Sequence, residues 1–251
     1  MGAQIESEYT ESKHLLKGFK VRDVLMKQYQ SIGANENLET AVAMLLDSPY
    51  KNFLVTQENI PVGTLNRDQI IEALSKKDMR DYVMFSFKLY KNNPYWIPPI
   101  IAEELETFDK TKNPALQTAE AHFYLAYKDD KIVGKIAAII NWEEVTILEK
   151  RKVRFGWFDA IDDIEVTKAL LNKVEELGKK HQMNHLEGPM GFSNLDKVGI
   201  LSEGFDQMGN MITWYSMPYY IEHFEQLGLT IEKSYQESTF SFNDIDPSQF
   251  N

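Results

Sequence analysis

An α/β fold with a mixed sheet is predicted by three stretches of this chain. Residues 153–190, VRFGWFDAIDDIEVTKALLNKVEELGKKHQMNHLEGPM, read as strand, helix and strand: the opening run is aromatic and β-branched, Val166, Leu170, Leu171, Val174 and Leu177 recur at helical spacing, and HLEGPM closes as a short strand. FYLAYKDDKIVGKIAAII reads as two apolar strands around Lys128, Asp129, Asp130 and Lys131, which is a hairpin. Phe19 to Lys77 run as a βαββα unit of about 60 residues, small for an independent core.

In order along the chain, residues 1–18 form a polar lead-in with Leu15 and Leu16 on a marginal helix ended by Gly18. Residues 19–78 begin with VRDVLM as a helical turn and QYQSIG as a strand, and Asn37 caps the helix LETAVAMLLDS. NFLVTQENIPVGTL follows as a hairpin and DQIIEALSKK as a closing helix, with the boundary at Lys76, Lys77 and Asp78. Residues 79–251 open on a second, aromatic-rich helix, YVMFSFKLYKNN, then PYWIPPI as an extended segment, the hairpin, and the strand, helix and strand unit. Gly188 to Met217 read as a long ordered loop, PYYIEHFEQLG as the last helix, and LTIEKSY and ESTFSF as the last strands.

With 251 residues, 43% hydrophobic and 26% charged, the composition is that of a globular protein. No apolar run approaches the roughly 18 residues of a membrane span, the N-terminus lacks the basic and apolar regions of a signal peptide, and Glu6 stands where a myristoylation signal needs Ser or Thr. A net charge of -11 opposes nonspecific binding to nucleic acid or to an anionic membrane. No cysteine is present, which removes disulfide and thiolate chemistry and fits a reducing, cytoplasmic setting.

A helix N-terminus binds anions through free N–H groups and its dipole, so the start of the 164–180 helix is where a cofactor phosphate would sit. Asp162, Asp163 and Glu165 occupy it and no glycine precedes them; Asp162 and Glu165 have the spacing of a capping box. Asn66 and Gln69 have the same spacing, and two readings stay open for them, a helix cap or contact with a nucleotide. His181 and His185 are four apart with no third ligand evident, so no metal is expected. No Ser/His/Asp order or Gly-x-Ser-x-Gly elbow supports nucleophilic hydrolysis. In the long loop, Gly188, Gly191, Ser193, Asn194 and Asp196 line a pocket, or Met190, Phe192, Leu201 and Phe205 seal the sheet edge.

Residues 19–78 resemble a single CBS repeat in the order VRDVLM, ETAVAMLL, FLVTQENIPVGTLNRDQII, and in wording are similar to the regulatory repeats of bacterial site-2 metalloproteases, whose HExxH motif and membrane spans the chain lacks. The resemblance implies an adenosyl-nucleotide site, with Asn66 and Gln69 where such repeats place a Ser or Thr and an Asp, and pairing of repeats, hence a homodimer. Residues 79–251 resemble the GNAT acyltransferase fold through the hairpin, the 153–190 unit and YYIEHFEQLGLTIEKSY, and an uncharacterised bacterial branch of it through LYKNNPYWIPP, FGWFDAIDD, EGPMGF and GILSEGFD. This resemblance implies an acyl-CoA cofactor held by backbone N–H groups along Phe155 to Ala160, among them Phe158, Asp159 and Ala160, with Asn194 from the loop beside them. Many members protonate the leaving thiolate with a Tyr four residues before the glycine of the last helix; that position is Phe224, and Tyr219 and Tyr220 are the nearby catalytic candidates. Two functions follow from these resemblances: an N-acyltransferase-like protein with a CBS-like regulatory or dimerising repeat, or a non-catalytic module that senses an adenosyl nucleotide or binds a protein partner.

Overall fold

A computed structural model describes residues 20, 29–193, 196–210 and 213–238. The chain divides into two compact units, Met1–Lys77 and Asp78–Asn251. The expected turn VRDVLM, the lead-in helix and most of ESTFSF lie outside the described residues.

In the first unit, β1 (Ser31–Gly33), α1 (Leu38–Asp47), β2 (Asn52–Gln57) and β3 (Ile60–Asn66) build a mixed three-stranded sheet in the order β1-β2-β3. β1 runs parallel to β2, and β3 antiparallel. Asn37 starts α1 by accepting the Thr40 N–H at 2.8 Å. The two-residue turn at Glu58 and Asn59 takes positive φ at both positions, 51° and 64°, which matches the twist of the strands it joins. Ile32, Ala41, Phe53 and Ile70 form the small core.

The closing helix of the first unit and the expected helix after it are one element, α2 (Arg67–Leu89). Between Gly63 and Pro94 no glycine or proline breaks the run, and Lys76 reaches Glu72 one turn back at 2.7 Å. The lysines read as a boundary therefore sit on a continuous helix.

The second unit continues with α3 (Ile101–Thr107), α4 (Ala115–Thr118), β4 (Ala119–Lys128), β5 (Lys131–Asn141), α5 (Trp142–Ile147), β6 (Lys152–Ala160), α6 (Ile164–Lys180), β7 (His185–Glu187) and α7 (Tyr219–Gln226). Its sheet has the order β4-β5-β6-β7, antiparallel except for the parallel β6 and β7 pair. On one face Val166, Leu170, Leu171, Val174 and Leu177 of α6 pack against Ile136, Ala138, Val153 and Phe155. On the other, Tyr82 and Val83 of α2 pack with Phe108, Ala137, Ile139 and Trp157. Two buried layers explain why β5 is apolar at nearly every position instead of alternating.

LTIEKSY, expected as a strand, is irregular, with Ile231 78% and Tyr235 67% exposed. Among the described residues no strand lies beside it, and β propensity without a ladder or a face to bury does not make a strand.

Candidate functional site

The site begins with a fault in the register of β6. Lys135 pairs with Asp159 and Ala137 with Gly156, so Trp157 and Phe158 together stand opposite Ile136. This is a bulge, and Trp157 absorbs it at φ 45°. Val153 and Phe155 face α6; simple alternation would send Trp157 and Asp159 the same way. The extra residue reverses the parity, so Phe158 and Ala160 join the α6 face while Trp157 and Asp159 turn to the other.

Asp159 thereby reaches the floor of a cleft of about 260 Å³. It is 8% exposed, and its carboxylate accepts from Ser86 Oγ at 2.7 Å and from the Tyr90 hydroxyl at 2.8 Å. Lys135, 3% exposed, places Nζ 3.6 Å from the same carboxylate and 4.9 Å from the centroid of the Tyr82 ring. Trp96, Trp157, Trp214 and Tyr215 supply aromatic walls. Burial and the neighbouring Asp159 charge push the Tyr90 hydroxyl well above its ordinary value, so it stays a proton donor.

Tyr220, 1% exposed, comes to Asp159 from α7. Its hydroxyl accepts the Ala160 N–H at 2.9 Å, and its own proton faces Ala160 O at 3.2 Å and Asp159 Oδ1 at 3.4 Å. The Tyr219 hydroxyl donates to Ala160 O at 2.8 Å. Burial raises both phenols above their ordinary value. Phe158 and Phe224 are core residues, their rings 5.1 Å apart. Of the residues named from sequence, Phe158, Asp159, Ala160, Tyr219 and Tyr220 therefore come together at the end of β6. Asn194 lies outside the described residues. Asn66 and Gln69 stand in the first unit and exchange bonds, Gln69 N–H to Asn66 Oδ1 at 2.8 Å and Asn66 N–H to Gln69 Oε1 at 2.9 Å.

The turn after β6 corrects one reading. Asp163, not Asp162, caps α6: its side chain accepts the Glu165 N–H at 3.1 Å, and its carbonyl accepts the Val166 and Thr167 N–H groups. Asp162 instead faces His223 Nε2 at 3.3 Å, and Glu165 faces Lys168. The Lys128 ammonium bonds Asp163 at 2.9 Å and holds its carboxyl below the usual range. With these N–H groups used and three carboxylates present, the turn does not fit a pyrophosphate.

Beside the site, Arg154, 2% exposed, joins β6 to Glu144, to Glu187 and to the Phe192 carbonyl. Burial alone would raise the Glu187 carboxyl, and the Lys152 and Arg154 cations outweigh it and hold it below the usual range. His181 and His185 do not meet: the first bonds Glu120 and the second faces Glu232. His185, Glu187 and Glu232 lie close enough to share an ion, but Glu187 is already held by two cations.

Ser86, Tyr90 and Lys135 were missed from sequence because no spacing links them; Ser86 and Asp159 are 73 residues apart. A signal did exist in Lys135 and Asp159, each a charge inside an apolar strand, since such residues are seldom buried without a partner.

No family model matches the chain. Over 155 residues it is 34% identical to Protein YghO of Escherichia coli (strain K12), a match covering 62% of this chain and 40% of that protein. Over 149 residues it is 28% identical to the Bacterial ceramide synthase of Caulobacter vibrioides (strain NA1000 / CB15N), covering 59% and 39%. The chain thus spans about two fifths of the length of the curated relatives it matches. A crystal structure of a probable acetyltransferase aligns with a TM-score of 0.38 and 9% identity, covering 68% of this chain and 93% of that one. None of these comparisons supports a CBS repeat. Among the described residues, no helix is long and apolar enough to cross a membrane.

Proposed function

We propose that the second unit is an acyltransferase-type domain that joins an acyl group to an amine in the Asp159 cleft. The observation that carries the reading is the buried carboxylate at the end of β6, ringed by the Ser86, Tyr90 and Tyr220 hydroxyls and open to a cleft. A relative named a ceramide synthase supports an amine acceptor, because a ceramide is an amide. Asp159 is the group to take the proton that an acceptor ammonium must lose before it attacks. The donor is proposed to be an acyl thioester such as acyl-CoA. Its pyrophosphate does not fit the Asp163 turn, so no step is drawn through it.

The test is thiol release from a series of acyl-CoA esters with primary amines and amino acids as acceptors, using the full chain. Release that needs the amine and falls at least 100-fold in Asp159→Asn is expected. An enzyme indifferent to that change would sink the reading.

A second reading, a module that binds without chemistry, is favoured by the same turn, whose carboxylates replace an anion cradle. For the first unit, adenosyl-nucleotide binding and homodimerisation are proposals of this second kind. A shift in melting temperature with AMP, ATP or S-adenosylmethionine, and none with acyl-CoA, would favour it; saturation at 100 times the dissociation constant stabilises by about 2.7 kcal/mol.

A further inference from the structure

We infer that the cleft takes a zwitterion, an α-amino acid with an apolar side chain, its carboxylate on Lys135 and its ammonium on Asp159. This rests on reading the cleft as the acceptor site, and it adds a requirement that an amine alone does not meet.

The first observation is the state of Lys135. An ammonium has three donors, and 3.6 Å to Asp159 is longer than a hydrogen bond. The Lys135 Nζ also stands 4.9 Å from the centroid of the Tyr82 ring, whose face offers no lone pair. A buried charge is expensive to leave short of hydrogen bonds, and Lys135 is 3% exposed while lining the cleft. Its donors are therefore available to an acceptor entering from that side.

The second observation is Asp159 beside it. Ser86, Tyr90 and Tyr220 use three of the roughly four lone-pair directions of its carboxylate, so one acceptor position remains. In an α-amino acid the ammonium and the carboxylate are separated by one carbon. A site that reads both must hold its own two charges side by side and in reverse order, as Lys135 and Asp159 are held on adjacent strands. A ligand bearing only a carboxylate is disfavoured, because Glu104, Asp159 and Asp196 outnumber Lys135 and Lys197 on the lining.

Size and walls set the rest. A volume of about 260 Å³ lies below the range of roughly 300–1,000 Å³ that encloses drug-sized ligands, which suits one amino acid. Trp96, Trp157 and Trp214 offer apolar surface to its side chain.

The three lining tryptophans also report the test, which follows tryptophan fluorescence of the full chain during titration with leucine, leucinol and 4-methylpentanoate. The last two lack the carboxylate and the ammonium respectively. Saturable binding of leucine is expected, with each truncated analogue at least 10-fold weaker. Lys135→Met is expected to weaken leucine at least 10-fold and to leave leucinol unchanged, whereas Asp159→Asn weakens leucine and leucinol but not 4-methylpentanoate. Leucinol binding as tightly as leucine, or no saturable response to any of the three, would overturn the inference; the wild-type series decides this even if a variant does not fold. Leucine binding without acyl transfer defeats the acyltransferase reading alone. Transfer to leucinol and leucine with equal ease defeats this inference alone.

Discussion

The Tyr90 hydroxyl donates to Asp159 Oδ1 at 2.8 Å from a residue only 2% exposed, tying the residue just after α2 to the C-terminal end of β6. The bond is charge-assisted and shielded from water, so its loss leaves a buried carboxylate short of a donor. Tyr90→Phe is expected to lower stability by about 1–3 kcal/mol, read from the urea midpoint at constant slope. A midpoint unchanged from wild type would show that water replaces the hydroxyl without cost.

Gly156 is where the loop after β7 crosses β6. A Cβ there would collide with the Met190 carbonyl oxygen, and Met190 cannot retreat without stretching the 2.8 Å bond from its N–H to Phe155 O. Gly156→Ala should cost about 1–3 kcal/mol, the range for overpacking. Circular dichroism melts of the two proteins check this, and an equal melting temperature would show that the crossing has slack.

Glu187 makes stability depend on acid. Its carboxyl is held low by Lys152 and Arg154 in the folded chain, so the unfolded chain binds the proton more readily. The stabilisation is complete above the ordinary glutamate value of about 4.3 and fades as pH falls through the lower folded-state value. The gap between wild type and Glu187→Gln should therefore be largest near neutral pH and shrink below about 4.3. Denaturation at several pH values measures it, and a gap that does not change with pH contradicts the assignment.

Asn66 and Gln69 separate two roles. As a reciprocal cap, Asn66→Ala should cost about 1 kcal/mol. If the pair serves only as a cap, melting shifts induced by adenosyl nucleotides will be the same in wild type and variant. A ligand shift abolished by Asn66→Ala would instead give the pair a binding role.

Much of the second unit could be read from its residues. Val166 to Leu177 mark an amphipathic helix, and the apolar runs on both sides of Lys128 to Lys131 mark a hairpin, because each pattern follows a local period. The site was half legible. Asp159 and Ala160 were named as part of a cofactor strand and Tyr219 and Tyr220 as acid candidates; the backbone groups of Ala160 are both taken by the two tyrosines. Ser86, Tyr90 and Lys135 depend on tertiary meeting, and local pattern does not carry that. At α2, two helices were expected on either side of Lys76, Lys77 and Asp78, yet nothing there stops a helix and they form one element.

The bulge at Trp157 makes the end of β6 behave like text with one inserted letter. Everything upstream keeps its meaning, and every residue downstream is read from the other side of the page. Straightening the strand at that point, with no residue changed, would turn the Asp159 carboxylate into the layer of Leu170 and Phe224 and put Phe158 where the acid had been. Deleting the extra residue, by contrast, restores plain alternation and leaves both on their present faces. The placement of Asp159 thus hangs on the backbone conformation of one residue, Trp157, more than on the residues around it.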